Sequence, residues 1–198
     1  MAFKTTYSQY DNKVGLFSTE GALDLTTIPS NENKITASDG AADDSFGWSV
    51  AVGSDRIVVG SHRDSDNGYQ SGSAYIFDLD GTQLAKITAS DGASSDWFGR
   101  SVAVGNGRIV VGSWQDDDNG GNSGSAYIFN LSSYQQLTKI TASDGASIDD
   151  FGYSVAIGNG RIVIGSYGDD DNGSNSGSAY IYETPRVYTP YDLIYNEV

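Results

Sequence analysis

Lys86 to Phe129 reads KITASDGASSDWFGRSVAVGNGRIVVGSWQDDDNGGNSGSAYIF, and nearly the same text returns on both sides of it. Upstream, Lys34 to Phe77 reads KITASDGAADDSFGWSVAVGSDRIVVGSHRDSDNGYQSGSAYIF; downstream, Lys139 to Tyr182 reads KITASDGASIDDFGYSVAIGNGRIVIGSYGDDDNGSNSGSAYIY. The offsets are 52 and 53 residues, and the second and third units agree at 35 of 44 aligned positions. A period near 50 residues marks a repeat architecture in which each unit buries its apolar faces on its neighbours.

Each unit divides into four strand candidates. In FGWSVAVG, Ser49 and Ala51 face one way while Val50 and Val52 face the other, the period of a strand. RIVVG follows a tight turn, Gly53–Ser54–Asp55 in the first unit and Gly105–Asn106–Gly107 or Gly158–Asn159–Gly160 in the others, where Gly and Asn tolerate positive φ. GSAYIF lies beyond an acidic loop, and the next unit's KITAS is the expected fourth strand. Ser49, Ala51, Gly53, Gly60 and Ala74 limit bulk, while Val50, Val52, Val58, Ile76 and Phe77 fill space. The Phe–Gly pairs (Phe46–Gly47, Phe98–Gly99, Phe151–Gly152) set an anchor ring beside a residue suited to close backbone approach. No window carries an apolar 3.6-residue period long enough for a helix. The expected fold is all-β: three four-stranded β-propeller-type blades, open or completed by oligomerisation, with irregular arms at both ends. The divisions are an N-terminal arm at 1–33, blades at 34–85, 86–138 and 139–183, and a tail at 184–198.

The run FG-x-SVA, VVGS and GSAYIF resembles the FG-GAP repeat, best known from the head of integrin alpha subunits, over roughly residues 34 to 183. The KITASDGA and DDDNG variant resembles repeats of structural and appendage proteins of marine bacteriophages. Integrin-type blades often carry an Asp-rich calcium loop between the SVA and VVG strands. Here that place holds only Gly53–Ser54–Asp55 or Gly–Asn–Gly, too short and too poor in oxygen ligands to cage a cation. Calcium binding therefore does not carry over.

A net charge of −15 with only 11 Lys and Arg argues against a nucleic-acid partner and against docking on an anionic membrane. No stretch approaches 18 apolar residues, so no membrane insertion is expected. MAFKTTYSQYDNKVGLFS lacks an apolar signal core, so the expectation is a soluble protein made in the host cytoplasm that leaves the cell only inside a larger assembly, the virion.

Catalytic chemistry finds little support. Cys is absent, and His62 is the only histidine, so thiolate, multi-His and Ser–His–Asp constellations lack their parts. No cofactor is expected. The acidic loops around Asp66, Asp118 and Asp171 are weak metal candidates. They fail the EF-hand spacing, because the first ligand position holds Arg63, Gln115 or Gly168, and they read better as Asx turns. Asp44, Asp96 and Asp149 recur before every Phe–Gly, as scaffold residues do.

Positions that differ between units are the better functional candidates. They are Trp48, Arg100 and Tyr153 after Phe–Gly; His62, Trp114 and Tyr167 after the VVGS or VIGS segment; and Ser45, Trp97 and Asp150 before Phe–Gly. Trp, Tyr and Arg anchor interfaces, and rim loops carry recognition. Three readings stay open: burial against a protein, stacking on a sugar, or filling of a wide interior at the propeller axis. In the tail, Pro185 and Pro190 favour an extended arm, and Tyr188, Tyr191 and Tyr195 are candidate docking residues. The expected function is a non-enzymatic structural or binding module of a phage virion, on head or tail. Its partners would be other virion proteins, copies of itself or a host-surface glycan. The alternative is a secreted or cell-surface adhesion module that binds protein or glycan.

Overall fold

Small residues alternating with branched ones in SVAV and RIVVGS give extended backbone that a neighbour approaches closely on either face, and the architecture follows from that. The structure is a computed structural model that describes residues 32–184, and every strand belongs to a compact unit opening at Lys34. The first sheet holds β1 (Ser49–Val52), β2 (Ile57–Ser61), β3 (Ser73–Phe77) and β4 (Gln83–Ile87). The second holds β5 (Ser101–Gly105), β6 (Arg108–Ser113), β7 (Ser125–Asn130) and β8 (Gln136–Ile140), and the third holds β9 (Phe151–Gly158), β10 (Arg161–Ser166) and β11 (Ser178–Glu183). Each sheet is an antiparallel meander in chain order, with no helix among the described residues. The fold is all-β, an open set of propeller-type blades.

The hairpins between the first two strands turn where expected. Asn106 and Gly107 sit at φ 51° and 71°, and Asn159 and Gly160 at 48° and 73°, the left-handed pair that matches strand twist.

Three expectations need correction. The fourth strand is QLAKI or QLTKI, not KITAS: only Lys86–Ile87 and Lys139–Ile140 of those runs are paired. The ladder stops at Ala74 because the preceding Gly72 bridges in parallel to Phe98 of the next unit, as Gly124 does to Phe151. The third sheet has three strands among the described residues, not four. Finally, the strand expected from Phe–Gly onward begins there only in β9, where a bulge opposite Gly165 and Ser166 carries pairing back to Phe151. In the first two sheets the strand starts later, at Ser49 or Ser101, although Gly47, Gly99 and Gly152 share the same positive φ, 89°, 88° and 88°.

Sheets pack face on face, with the first strands of successive blades in contact. One core lies between the first and second sheets, around Val58, Ile76, Phe98 and Tyr127. A second lies between the second and third, around Val110, Ile128, Phe151 and Ile164. Phe98 and Phe151 are completely buried, each edge-on to a tyrosine (Tyr127, Tyr180) of its own sheet. Burial of one such ring stabilises by about 2–3 kcal/mol.

The Phe–Gly loop is also the joint between blades. Ser95, Trp97 and Phe98 donate backbone N–H bonds to the carbonyls of Tyr69, Gln70 and Ser71 (2.8, 3.3 and 3.0 Å). Ile148, Asp150 and Phe151 repeat this to Gly121, Asn122 and Ser123 (2.9, 3.1 and 3.0 Å). Ser49 Oγ donates to the Gly99 carbonyl and Ser101 Oγ to that of Gly152, both at 2.8 Å. A Cβ on Gly60 or Gly112 would overlap those same carbonyls, which is why glycine stands in the middle of β2 and β6.

Candidate functional site

Because each unit contributes one residue just before its first strand or at that strand's start, and one just after its second, the variable columns come together at one end of the blades. Trp48 precedes β1, Arg100 precedes β5 and Tyr153 lies near the start of β9; His62, Trp114 and Tyr167 follow β2, β6 and β10. Trp97 enters from the Phe–Gly loop, held at φ 57°. The result is one continuous row of rings. Centroid separations run Trp48–His62 4.6 Å, His62–Trp97 5.0 Å, Trp97–Trp114 5.5 Å, Trp114–Tyr153 5.8 Å and Tyr153–Tyr167 5.2 Å. The Arg100 guanidinium lies 5.0 Å from the Trp48 ring and 4.8 Å from that of Tyr153, and it donates to Tyr153 Oη at 3.3 Å. Arg63 lies over Trp97 at 5.7 Å, and Trp97 Nε1 donates to Gln70 Oε1 at 3.2 Å. Cation–π contacts of this kind contribute about 0.5–2 kcal/mol each.

The middle of the row is enclosed and its ends are open. His62 is 1% exposed, whereas Trp48 and Tyr167 are 53% and 59% exposed. Burial, with the positive charges of Arg63 and Arg100, lowers the His62 pKa to about 4, so the ring is neutral at physiological pH. Four buried polar atoms here have no hydrogen-bond partner among the described residues: His62 Nδ1, Arg63 Nε, Trp114 Nε1 and Asp150 Oδ1. Burial, then the neighbouring Asp149, pushes the Asp150 carboxyl up to about 6. Thus Trp48, Arg100, Tyr153, His62, Trp114, Tyr167 and Trp97 form one cluster of side chains, while Tyr188, Tyr191 and Tyr195 lie outside the described residues.

The acidic loops do different work. Asp64, Asp116 and Asp169 each accept a backbone N–H from the residue two on, the Asx turn expected of them. Lys86 Nζ sits among Asp39, Asp64 and Asp66 at 2.8, 3.0 and 2.6 Å, and Lys139 Nζ among Asp91, Asp116 and Asp118 at 2.8, 2.9 and 2.6 Å. Tyr75 Oη and Tyr127 Oη donate into the same groups. Asp66 and Asp118 are therefore paired with an ammonium of the chain itself. Asp171 differs: Lys139 is the last lysine of the sequence, and nearby Asp169 and Asp144 raise the Asp171 carboxyl. Asp44, Asp96 and Asp149 accept the N–H groups of Ala41, Ala93 and Ala146 at 2.6, 2.7 and 2.6 Å, and so shape the loop before Phe–Gly.

These lysine clusters are the feature that sequence reasoning missed. Their signal was present in the repeated columns: Lys and Asp five apart in KITASD, the first and third Asp of DDDNG, and the Tyr of GSAYIF all recur. Only the folded register shows that they converge.

No curated protein matches the chain. The profile of the FG-GAP repeat matches it three times, at residues 29–77, 82–129 and 134–182. The second match takes in β4 and then β5 to β7, so the family's unit starts with the strand that closes the preceding sheet. Repeats of this kind point to a β-propeller module of the protein-binding or adhesion type and are typically non-catalytic. With three matches over most of its length and three blades to correspond, the chain belongs to the FG-GAP repeat family.

Proposed function

We propose that the protein is a non-enzymatic binding module whose recognition surface is the aromatic row, and that its partner is a protein. The observation that carries this reading is how the rings are engaged. Trp48 holds Arg100 at 5.0 Å and His62 at 4.6 Å, and Trp97 packs between His62 and Trp114. A sugar needs a free, flat ring face, whereas the row presents ring edges, a guanidinium and the exposed parts of Trp48 and Tyr167. Such a surface suits burial against protein, where Trp, Tyr and Arg supply most of the binding energy.

The setting we propose is a bacteriophage virion in which the row contacts another structural protein. The support is the KITASDGA and DDDNG variant of the repeat. A secreted or surface adhesion module is the second reading, and it would use the same row. In particles carrying the protein, a photo-crosslinking amino acid at Gln115, beside Trp114, should give a discrete adduct with a different structural protein. Arg100→Ala combined with Trp114→Ala should weaken that contact about 30-fold while leaving the circular dichroism unchanged. Absence from purified particles removes the virion setting; binding to glycans without any protein adduct removes the protein partner.

A further inference from the structure

The two ends of the blade array carry the two halves of a joint that the chain already makes twice within itself. One unit beyond the second joint, the acceptors corresponding to Gly121, Asn122 and Ser123 are the carbonyls of Ser174, Asn175 and Ser176. None of them receives a backbone N–H among the described residues. One unit before the first joint, the donors corresponding to Ser95, Trp97 and Phe98 are Asp43, Ser45 and Phe46, and their N–H groups are likewise unmatched among the described residues. The donor loop already has the docked conformation: Asp43 and Ser45 hold φ 69° and 59°, against 72° and 57° at Ser95 and Trp97.

Close packing tells the same story. A Cβ on Gly124 would overlap Phe151 and one on Gly152 would overlap the Ser125 carbonyl, but among the described residues Gly47 has nothing nearby and Gly177 nothing beyond Ser166 and Tyr167 of its own blade. The apolar surfaces follow suit. Val50 and Val52 are 69% and 71% exposed where Val102 is 8%, and Ile181 is 69% exposed where Ile76 is fully buried.

We propose that a second copy of this chain docks its Phe46–Gly47 end on the Gly165, Gly177 and Ser178 end of the first. Donors and acceptors then pair in the register of the internal joints, and Ser154 Oγ reaches the Gly47 carbonyl as Ser49 reaches Gly99. The contact is head to tail. Made twice, it closes two three-bladed chains into a six-bladed ring, within the four to eight blades of closed propellers. Across the new joint Tyr167 meets Trp48 as Trp114 meets Tyr153, so the two most exposed rings of the row become neighbours. The inference rests on the joint and not on what the aromatic row binds.

Sedimentation of the full chain tests it. At micromolar concentration the species should have twice the 21.0 kDa mass of one chain. Val52→Asp at one end and Ala179→Arg at the other both change exposed side chains, so each should fold with unchanged circular dichroism. Each alone should weaken association at least about 100-fold, because either substitution appears in both contacts of the ring. A monomeric wild type, with residues outside 32–184 covering the ends, overturns the proposal. So does a dimer broken by only one of the two variants, which would be back-to-back pairing, or a dimer broken by neither.

Discussion

The joint between the second and third blades and the far face of the third blade are made of the same residues with different company. Val110 is fully buried in the joint and Ile128 is 7% exposed, while Val163 is half-buried and Ile181 is 69% exposed. Gly112 lies under the Gly152 carbonyl, whereas its counterpart Gly165 faces only the hydroxyl of Ser154. Repetition thus specifies a surface and leaves its occupancy to position in the array. The mid-strand glycine answers to the next blade and not to its own sheet.

The most damaging test of that contrast is a single methyl group. Gly112→Ala should destabilise by about 3 kcal/mol, since the Cβ meets backbone that cannot turn aside. Gly165→Ala, made in the Val52→Asp background so that the far face of the third blade is free, should cost under about 1 kcal/mol because Ser154 can change rotamer. Urea denaturation of the two measures the difference. Equal losses would mean that glycine serves the strand itself.

The acidic groups extend the contrast. Lys86 is 16% exposed and paired with three carboxylates, so Lys86→Met should cost about 2 kcal/mol at neutral pH. The hydrogen bond from Lys86 holds the Asp39 carboxyl below its ordinary value. That contribution is present above about pH 4 and is lost as pH falls through the lower folded-state pKa. In Lys86→Met the carboxylates repel one another until they are protonated. The gap between wild type and variant should therefore narrow as pH falls from 7 to 3 in thermal melts. Asp66→Asn removes a 2.6 Å ion pair and should lower stability slightly. Asp171→Asn, the same change in the same register, should raise it, because the Asp169 and Asp144 charges oppose ionisation there. Effects of the same sign at both positions would erase the distinction.

What could be read from the sequence follows from what repetition records. Three near-copies of SVA, RIV and SAYI made the strands and their antiparallel order legible, and the variable columns located Trp48, His62, Trp97 and Trp114 as one group. The fourth strand is not legible in this way: KITAS looks extended and is conspicuous, while QLAKI and QLTKI flank a turn of changing length. Where pairing stops is decided by the next unit's Phe98 or Phe151, which no local pattern reports. The lysine clusters join residues 47 and 48 positions apart, Lys86 with Asp39 and Lys139 with Asp91, and periodicity carries no information about such side-chain convergence.

The smallest expected effect comes from a position where the repeats share a backbone and differ in fitness for it. Asp43, Ser95 and Ile148 occupy one column, all with φ near 70°. Asp tolerates the left-handed region, and Ser does so at modest cost. A β-branched side chain there is strained by about 1–2 kcal/mol. Ile148 gains little in return, because its side chain is 63% exposed and the hydrogen bond at this position comes from its backbone N–H to the Gly121 carbonyl. Ile148→Asn keeps that bond and relieves the conformation, so it should raise stability by about 1 kcal/mol, or about 2–4 °C in Tm. The reverse change in the first blade, Asp43→Ile, should lower Tm by a similar amount. An unchanged or lower Tm for Ile148→Asn would mean that the exposed isoleucine is held by apolar contact, which would place a partner against the second joint as well as the open ends.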